Sequence, residues 1–213
     1  MRKVFHFFIL LVTAVFTTLT IPAVSGSQVL INEFLADPAR DWDGDGVTNF
    51  RDDEWIEIIN GGEAAVDLDG LYLADGDGEI VWRYGFTGSL APGAVRIVFG
   101  SDSRVWEEAN GYPIYGLSLN NAGDRLSLYR VSGTDTLLVD SYVYEDMAAD
   151  DDRSVGRDER HLGTWVIFDA YNPCSERCVP AGAGCIPTPG QTNGCITSTR
   201  LESWGSIKRI YID

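Results

Sequence analysis

Short apolar segments separated by closely spaced turn signals constrain the fold of this chain more than any other feature. Glu54 to Asn60 and Arg125 to Val131 are typical: each runs for seven residues and is rich in Ile, Leu, Val or Tyr. Glycine and proline turns lie between such segments, and the 3.6-residue period of an amphipathic helix is almost absent. Only Ser103 to Ala109 offers one or two helical turns. The pattern predicts an all-β chain folded as an antiparallel β-sandwich.

The strands expected from this pattern are short and follow one another closely. They cover 28–36, 54–60, 65–68, 71–74, 79–86, 94–99, 125–131 and 137–144, with a further pairing region that begins at 117–121.

A twelve-residue acidic loop between the first two predicted strands carries the strongest chemical signal. Carboxylates recur at every second residue, a glycine follows, and an acid returns at the twelfth position, which is the ligand pattern of an EF-hand-type calcium loop. Calcium prefers six to eight oxygen ligands, and Val47 would supply its backbone carbonyl. The predicted calcium ligands are Asp41, Asp43, Asp45, Val47, Asn49 and Asp52.

Two features of the loop qualify this interpretation. Its twelfth residue is Asp and not the longer Glu, so that Asp52, Asp53 or Glu54 is left as the group that closes the site. No helix signal flanks the loop, which favours a structural ion over a sensor. The alternative is an acidic, glycine-rich surface turn that binds nothing. We expect Trp42, which alternates with the ligands, to point away from the ion and pack the loop onto the sheet.

The charge balance excludes some partner classes. The 213 residues include 32 Asp and Glu against 16 Lys and Arg, a formal net charge of −16. Such an excess of negative charge argues against direct binding of nucleic acid or of an anionic membrane. Residues 1–26 resemble a secretory signal: a basic start is followed by an apolar run and by small residues near Gly26. We therefore expect a secreted or cell-surface protein without a transmembrane anchor after cleavage.

Four cysteines crowd one proline-rich segment near the C-terminus: Cys174, Cys178, Cys185 and Cys195. In an exported protein an even number of cysteines implies disulfides, here with three possible connectivities. A zinc site is the alternative, but Cys185 and Cys195 do not form a second close pair. We expect disulfides that staple a loop-rich segment with little core of its own.

Several motifs, in order along the chain, resemble the lamin tail domain in its bacterial secreted form. They are 31–34 (INEF), 53–60 (DEWIEIIN), 66–70 (VDLDG), 90–93 (LAPG), 119–128 (LNNAGDRLSL), 152–157 (DRSVGR) and 187–193 (PTPGQTN). The resemblance covers 27–193 and implies an immunoglobulin-like sandwich, with the 41–52 loop as an insertion. Residues 194–213 then form a linker and C-terminal tail. The aromatic and basic stretch 203–211 is either a sorting tag or a segment that packs on the domain.

No recognisable catalytic set is present. The resemblance implies a binding or packing module without a catalytic set of its own, and fold alone does not assign chemistry. His161 is the one histidine left after signal cleavage, and no Gly-x-Ser-x-Gly motif occurs. We expect a secreted, non-enzymatic module with a structural calcium ion, which binds an extracellular protein or glycan. The alternative is a secreted metal-dependent hydrolase, or the accessory domain of one.

Overall fold

A computed structural model of the chain describes residues 29–75, 79–146, 150–175 and 178–194. Eleven strands and one helix lie within these ranges. The first half contains β1 (Val29–Leu35), β2 (Trp55–Asn60), β3 (Val66–Asp67), β4 (Leu71–Asp75), β5 (Val81–Gly85), β6 (Ser89–Leu90) and β7 (Val95–Phe99). The second half contains α1 (Gly100–Asn110), β8 (Gly123–Ser132), β9 (Asp135–Glu145), β10 (Ser154–Asp158) and β11 (His161–Phe168).

The strands form two main sheets that pack face to face. One sheet has five strands in the order β11-β10-β1-β2-β7, and the other has four in the order β5-β4-β8-β9. The pairs within both sheets are antiparallel, and β3 with β6 makes a small separate ribbon. Apolar side chains from both sheets meet in one core, where the Phe34 ring lies 4.8 Å from that of Tyr144. The predicted antiparallel β-sandwich is confirmed.

A β-bulge in β1 decides which of its side chains face the core. The pairing register between β1 and β2 shifts between Ile31 and Glu33. Ile31 and Phe34 therefore both belong to the inter-sheet core, whereas Glu33 and Leu35 point to the opposite face. An extra residue in one strand reverses the simple alternation of a strand in this way.

The outer face of the five-stranded sheet is also buried, because the C-terminal segment lies across it. Leu35, Trp55 and Phe168 are fully buried there without belonging to the inter-sheet core. We call residues 187–193 the C-terminal clasp. Its Thr188 hydrogen-bonds Glu33 of β1, and its Gly190 amide donates to Glu57 of β2. This explains why every residue of β2 is buried, charged ones included.

The disulfide staple predicted for the C-terminal segment is present. Cys174 and Cys178 are bonded to each other, with their Cα atoms 6.0 Å apart. Cys185 is also disulfide-bonded. The Asp169 carboxylate accepts the Cys174 and Gly184 amides, at 2.7 Å each, and ties the segment to the end of β11. Cys195 lies outside the described residues, as do the predicted signal peptide and the 203–211 stretch.

The structure differs from the expected elements at four places, one of them the two-residue strand β6, which the apolar pattern did not predict. The helix has eleven residues instead of one or two turns, and it ends at Gly111, whose φ of 74° is the left-handed conformation that glycine adopts readily. Residues 117–121 are loop, and β8 begins only at Gly123. Strands β10 and β11 were not expected: β10 has Val155 as its one large apolar side chain, and β11 ends in a continuous apolar run, 165–168, without alternation. Within the described ranges, no helix has the length and apolar character to cross a membrane.

Candidate functional site

Strands β1 and β2 hold the acidic loop at one end of the sandwich. Leu35 pairs with Trp55, so the chain leaves β1 and re-enters β2 at neighbouring positions. Within the loop, carboxylate oxygens of Asp41, Asp43 and Asp45 all lie within 4.8 Å of one another. Asp41 and Asp45 are exposed and Asp43 is half-buried. The sequence spacing therefore becomes a real cluster of hard oxygen donors, which is the chemistry that calcium prefers.

The loop's own backbone amides hold the three carboxylates in place. Asp41 accepts the amides of Gly44 and Gly46 at 2.8 and 2.9 Å. Asp43 accepts the Asp45 amide at 3.1 Å, and Asp45 accepts the Val47 amide at 2.7 Å. Gly44 and Gly46 have φ values of 79° and 92°, which other residues adopt only under strain. The curl that gathers the carboxylates depends on these two glycines.

Asp53, which the ligand pattern offered as a possible closing group, has a different role. Its side chain is fully buried beneath the loop. One oxygen accepts the amides of Trp42 and Asp43 at 2.5 and 3.0 Å, and the other accepts the Asn49 amide at 2.6 Å. A buried carboxylate that receives three backbone donors fixes the path of the loop from within. Asp53 is therefore the internal anchor of the loop.

The other predicted ligands are not part of the three-carboxylate cluster. Asp52 forms a salt bridge with Arg104 of α1 at 2.7 Å and accepts the Asn49 side-chain amide at 2.8 Å. The Asn49 side-chain oxygen accepts the Arg51 amide at 3.0 Å. Val47 has an exposed side chain. Glu54 is buried and accepts the Leu119 amide at 3.2 Å, so it is directed to residues 118–119 and not to the three-carboxylate cluster.

Trp42 packs the loop onto the sandwich, as expected from its alternation with the acids. Its ring lies 6.2 Å from Trp55 and 6.1 Å from Tyr171. Its indole N–H donates to Asp152 at 2.9 Å, and Arg40 donates to the other oxygen of the same carboxylate at 2.9 Å. The loop is thus held on its inner side by aromatic contacts and by one acid from the segment before β10.

The helix α1 supports the far end of the loop. The amide of Gly100 donates to the Glu54 carbonyl at 2.8 Å, and that of Ser101 donates to the Asp52 carbonyl at 3.2 Å. A Cβ at position 100 would lie 1.7 Å from the Arg51 carbonyl oxygen. Glycine is required at the start of the helix, because the loop backbone occupies the space of a side chain.

A second group of carboxyls joins the sheet to the C-terminal clasp. Glu33 accepts the Thr188 amide at 3.0 Å and the hydroxyls of Ser154 and Thr188 at 2.5 Å each. Glu57 accepts the Asn32 side-chain amide at 2.6 Å and the Gly190 amide at 2.7 Å. Burial raises the pKa of Glu33 to about 7 and that of Glu57 to about 8, although the donors act in the opposite direction. This network attaches the clasp to the sheet, and its hydrogen bonds occupy the carboxyl groups of Glu33 and Glu57.

Sequence reasoning did not foresee the functions of Asp53, Glu33 or Glu57. No local pattern assigns them, since their partners depend on which side of a strand each one faces and on contacts with distant segments. The sequence feature that pointed to the clasp was the motif 187–193. Its polar, proline-rich composition implies a segment that docks on the domain.

Comparison with known proteins gives one family match. The model of the family described as Lamin Tail Domain matches residues 22–146, more than half of the chain. This region includes the acidic loop, α1 and the strands from β1 to β9. A search of the curated proteins found no match.

Proposed function

Because the chain belongs to the lamin tail domain family, we propose that it is a secreted, non-enzymatic binding module whose acidic loop holds a structural calcium ion. The observation that carries the proposal is that carboxylate oxygens of Asp41, Asp43 and Asp45 lie within 4.8 Å of one another. The matched family has an immunoglobulin-like fold without a catalytic set, which is consistent with binding rather than turnover.

The donor set of the loop fits calcium. Three carboxylates on a flexible, glycine-containing curl offer hard oxygens at adjustable distances, whereas magnesium demands a nearly ideal octahedron. The Val47 carbonyl and Asn49 would complete the site, with Asp52 as the closing acid after it releases Arg104. Positive charge on the ion would neutralise an exposed cluster of like charges. The role of the ion is to fix the loop.

Secretion is supported by the disulfide bonds in the C-terminal segment, since such bonds persist mainly in oxidising compartments. We propose that residues 1–26 are removed and that 27–193 fold as one domain, with 194–213 as linker and tail. Strand β10 pairs with β1, and the clasp binds β1 and β2, so the region beyond the family match is part of the same sheet. Mass spectrometry of the exported protein should find an N-terminus near Ser27.

The calcium site is tested by thermal unfolding in millimolar calcium and in excess chelator. We expect calcium to raise Tm, as any ligand that binds only the folded state does. Asp43→Asn should lose most of this increase, whereas Asp135→Asn, which changes an exposed acid of β9, should keep it. An unchanged Tm at millimolar calcium would refute the structural ion.

The absence of turnover requires a separate experiment. A panel of peptidase, esterase, glycosidase and nuclease substrates should show no hydrolysis above the buffer rate in the presence of calcium. Hydrolysis that is abolished by Asp43→Ala would contradict the binding module and indicate a metal-dependent hydrolase, in which the ion keeps an open coordination position for substrate.

A further inference from the structure

A cavity of about 580 Å³ lies beside the acidic loop, between the loop's end and residues 118–124. Phe50 and Arg51 of the loop line it, together with the buried Glu54. Asp75 at the end of β4 and Asp124 at the start of β8 line it from the second sheet. Ligand pockets in proteins commonly have volumes in the range of about 300–1,000 Å³. The cavity is large enough for a small organic ligand.

One carboxylate oxygen at this cavity, Oδ1 of Asp75, is buried without a hydrogen-bond donor. The other oxygen of Asp75 is paired with Arg83 at 2.8 Å. Burial, together with the side chain of Asp124 within hydrogen-bond reach, raises the pKa of Asp75. Buried polar groups without partners are rare and call for a ligand or water.

The spacing of the carboxyls argues against a metal ion in the cavity. Within the described residues, the group of three acids whose ligand atoms lie within 4.8 Å of one another is the one in the loop, and it contains none of Glu54, Asp75 and Asp124. One ion needs its ligands to converge at about 2.3–2.6 Å from a single centre. The three acids Glu54, Asp75 and Asp124 do not form such a group.

The balance of charge in the cavity favours a neutral ligand. Three carboxyls would repel an anion, and part of their charge is already balanced by Arg51 of the lining and by Arg83, which pairs with Asp75 from behind at 2.8 Å. The Arg51 guanidinium lies over the Phe50 ring, 5.4 Å from the ring centre. Burial also raises the pKa of Asp75 to about 7, so that this carboxyl both donates and accepts hydrogen bonds near neutral pH.

The remaining lining groups are those that hold hydroxyl-rich molecules. Ser118, Asn120 and Asn121 add a hydroxyl and two carboxamides, which donate and accept in several directions. Phe50 presents an apolar ring that is 65% exposed although it adjoins a polar cavity. Pyranose sugars have hydroxyls at their edges and an apolar C–H face, which matches this combination of an exposed ring and many hydrogen-bonding groups.

We propose that this cavity binds a neutral oligosaccharide, with the Phe50 ring against the apolar face of one sugar and the carboxyls and carboxamides on its hydroxyls. This inference rests on the proposed function, because it names the ligand class of the binding module. The acidic loop contributes Phe50 and Arg51 to the cavity, so the ion that fixes the loop also fixes one wall of the binding site.

The test is an array of short cello-, xylo-, manno- and chito-oligosaccharides with anionic oligosaccharides alongside, probed with the full mature chain in millimolar calcium. Calorimetric titration with the strongest neutral binder and with free arginine follows. Phe50→Ala should weaken the neutral oligosaccharide about tenfold, and Asp124→Asn should weaken it as well. Leu137→Ala, which removes an equally exposed apolar side chain from β9, is the matched control and should bind like the original chain.

Each outcome bears on the proposal. Binding of a neutral oligosaccharide that Phe50→Ala loses and Leu137→Ala keeps supports it. It is overturned if the array shows no neutral binder, if only arginine or anionic sugars bind, or if both cavity variants bind as the original chain does. Thermal unfolding of Phe50→Ala with calcium should match that of the original chain. A failed calcium shift therefore refutes the structural ion, and a failed sugar titration refutes the cavity assignment.

Discussion

Replacing Thr188 with valine removes the hydroxyl that donates a hydrogen bond to a buried carboxyl group. The shape of the side chain at position 188 stays nearly unchanged. The Thr188 hydroxyl donates to one oxygen of Glu33 at 2.5 Å, and Glu33 has no solvent exposure. Water cannot replace the lost donor at this position. The change therefore measures how much the C-terminal clasp depends on a single hydrogen bond to the sheet.

The size of the effect depends on whether Glu33 is charged. A hydrogen bond to a neutral group contributes about 1 kcal/mol to stability, and one to a charged group contributes about 1.5–3 kcal/mol. Burial raises the pKa of Glu33 to about 7, so the folded protein holds this carboxyl mostly protonated at mildly acidic pH and ionised at mildly alkaline pH. We expect Thr188→Val to cost about 1 kcal/mol near pH 5.5 and about 2–3 kcal/mol near pH 8.5.

Urea unfolding at both pH values, followed by tryptophan fluorescence, gives this difference directly. Thr164→Val is the matched control, because Thr164 is exposed on β11 and its change should stay within about 0.5 kcal/mol at either pH. A cost for Thr188→Val that is equal at the two pH values would refute the assignment of a titrating Glu33 beneath the clasp. A cost below about 0.5 kcal/mol at both would show that the clasp does not need this bond.

Three further predictions follow from the same region. Because the pKa values of Glu33 and Glu57 are raised, the folded state binds more protons than the unfolded state between pH 4.5 and about 7 or 8. The free energy of unfolding, measured in urea at several pH values, should therefore fall as pH rises through that window, and an increase would contradict this. Gly156→Ala should cost about 1–3 kcal/mol, because its Cβ would lie 2.7 Å from a buried side-chain nitrogen, and thermal unfolding measures the loss; an unchanged Tm would refute this close contact. The Cys174–Cys178 bond closes a loop with a sequence separation of 4. Replacing both cysteines with serine should lower the stability by about 2 kcal/mol in the same assay. An unchanged stability would mean that the bond does not constrain the unfolded chain.

The sequence predicts those parts of the fold that local patterns determine. Strands with clear apolar alternation, such as β2 and β8, begin and end close to the expected positions. The pattern fails for β10, whose five residues are all buried and include Ser154, Arg157 and Asp158. One face of this strand meets the core, and the other meets segments that arrive from far along the chain. A prediction rule that expects one face of each strand to be exposed to solvent cannot recognise β10.

The same distinction applies to the candidate site. The cluster of Asp41, Asp43 and Asp45 follows from spacing within five residues, so the sequence contains all the information needed to expect it. The cavity is different, because Glu54, Asp75 and Asp124 are brought together only when the two sheets pack. The length of α1 could not be predicted from the composition of the helix, because its start depends on the contact of Gly100 with the loop backbone.

Three consecutive acids connect these parts of the structure. Asp52 pairs with Arg104 of α1, Asp53 anchors the loop from within, and Glu54 faces the cavity. Residues 52 and 53 belong to the turn that ends the loop, and β2 begins only at Trp55, so the three neighbouring side chains have different surroundings. The loop, the helix and the cavity therefore meet at one short segment of three residues.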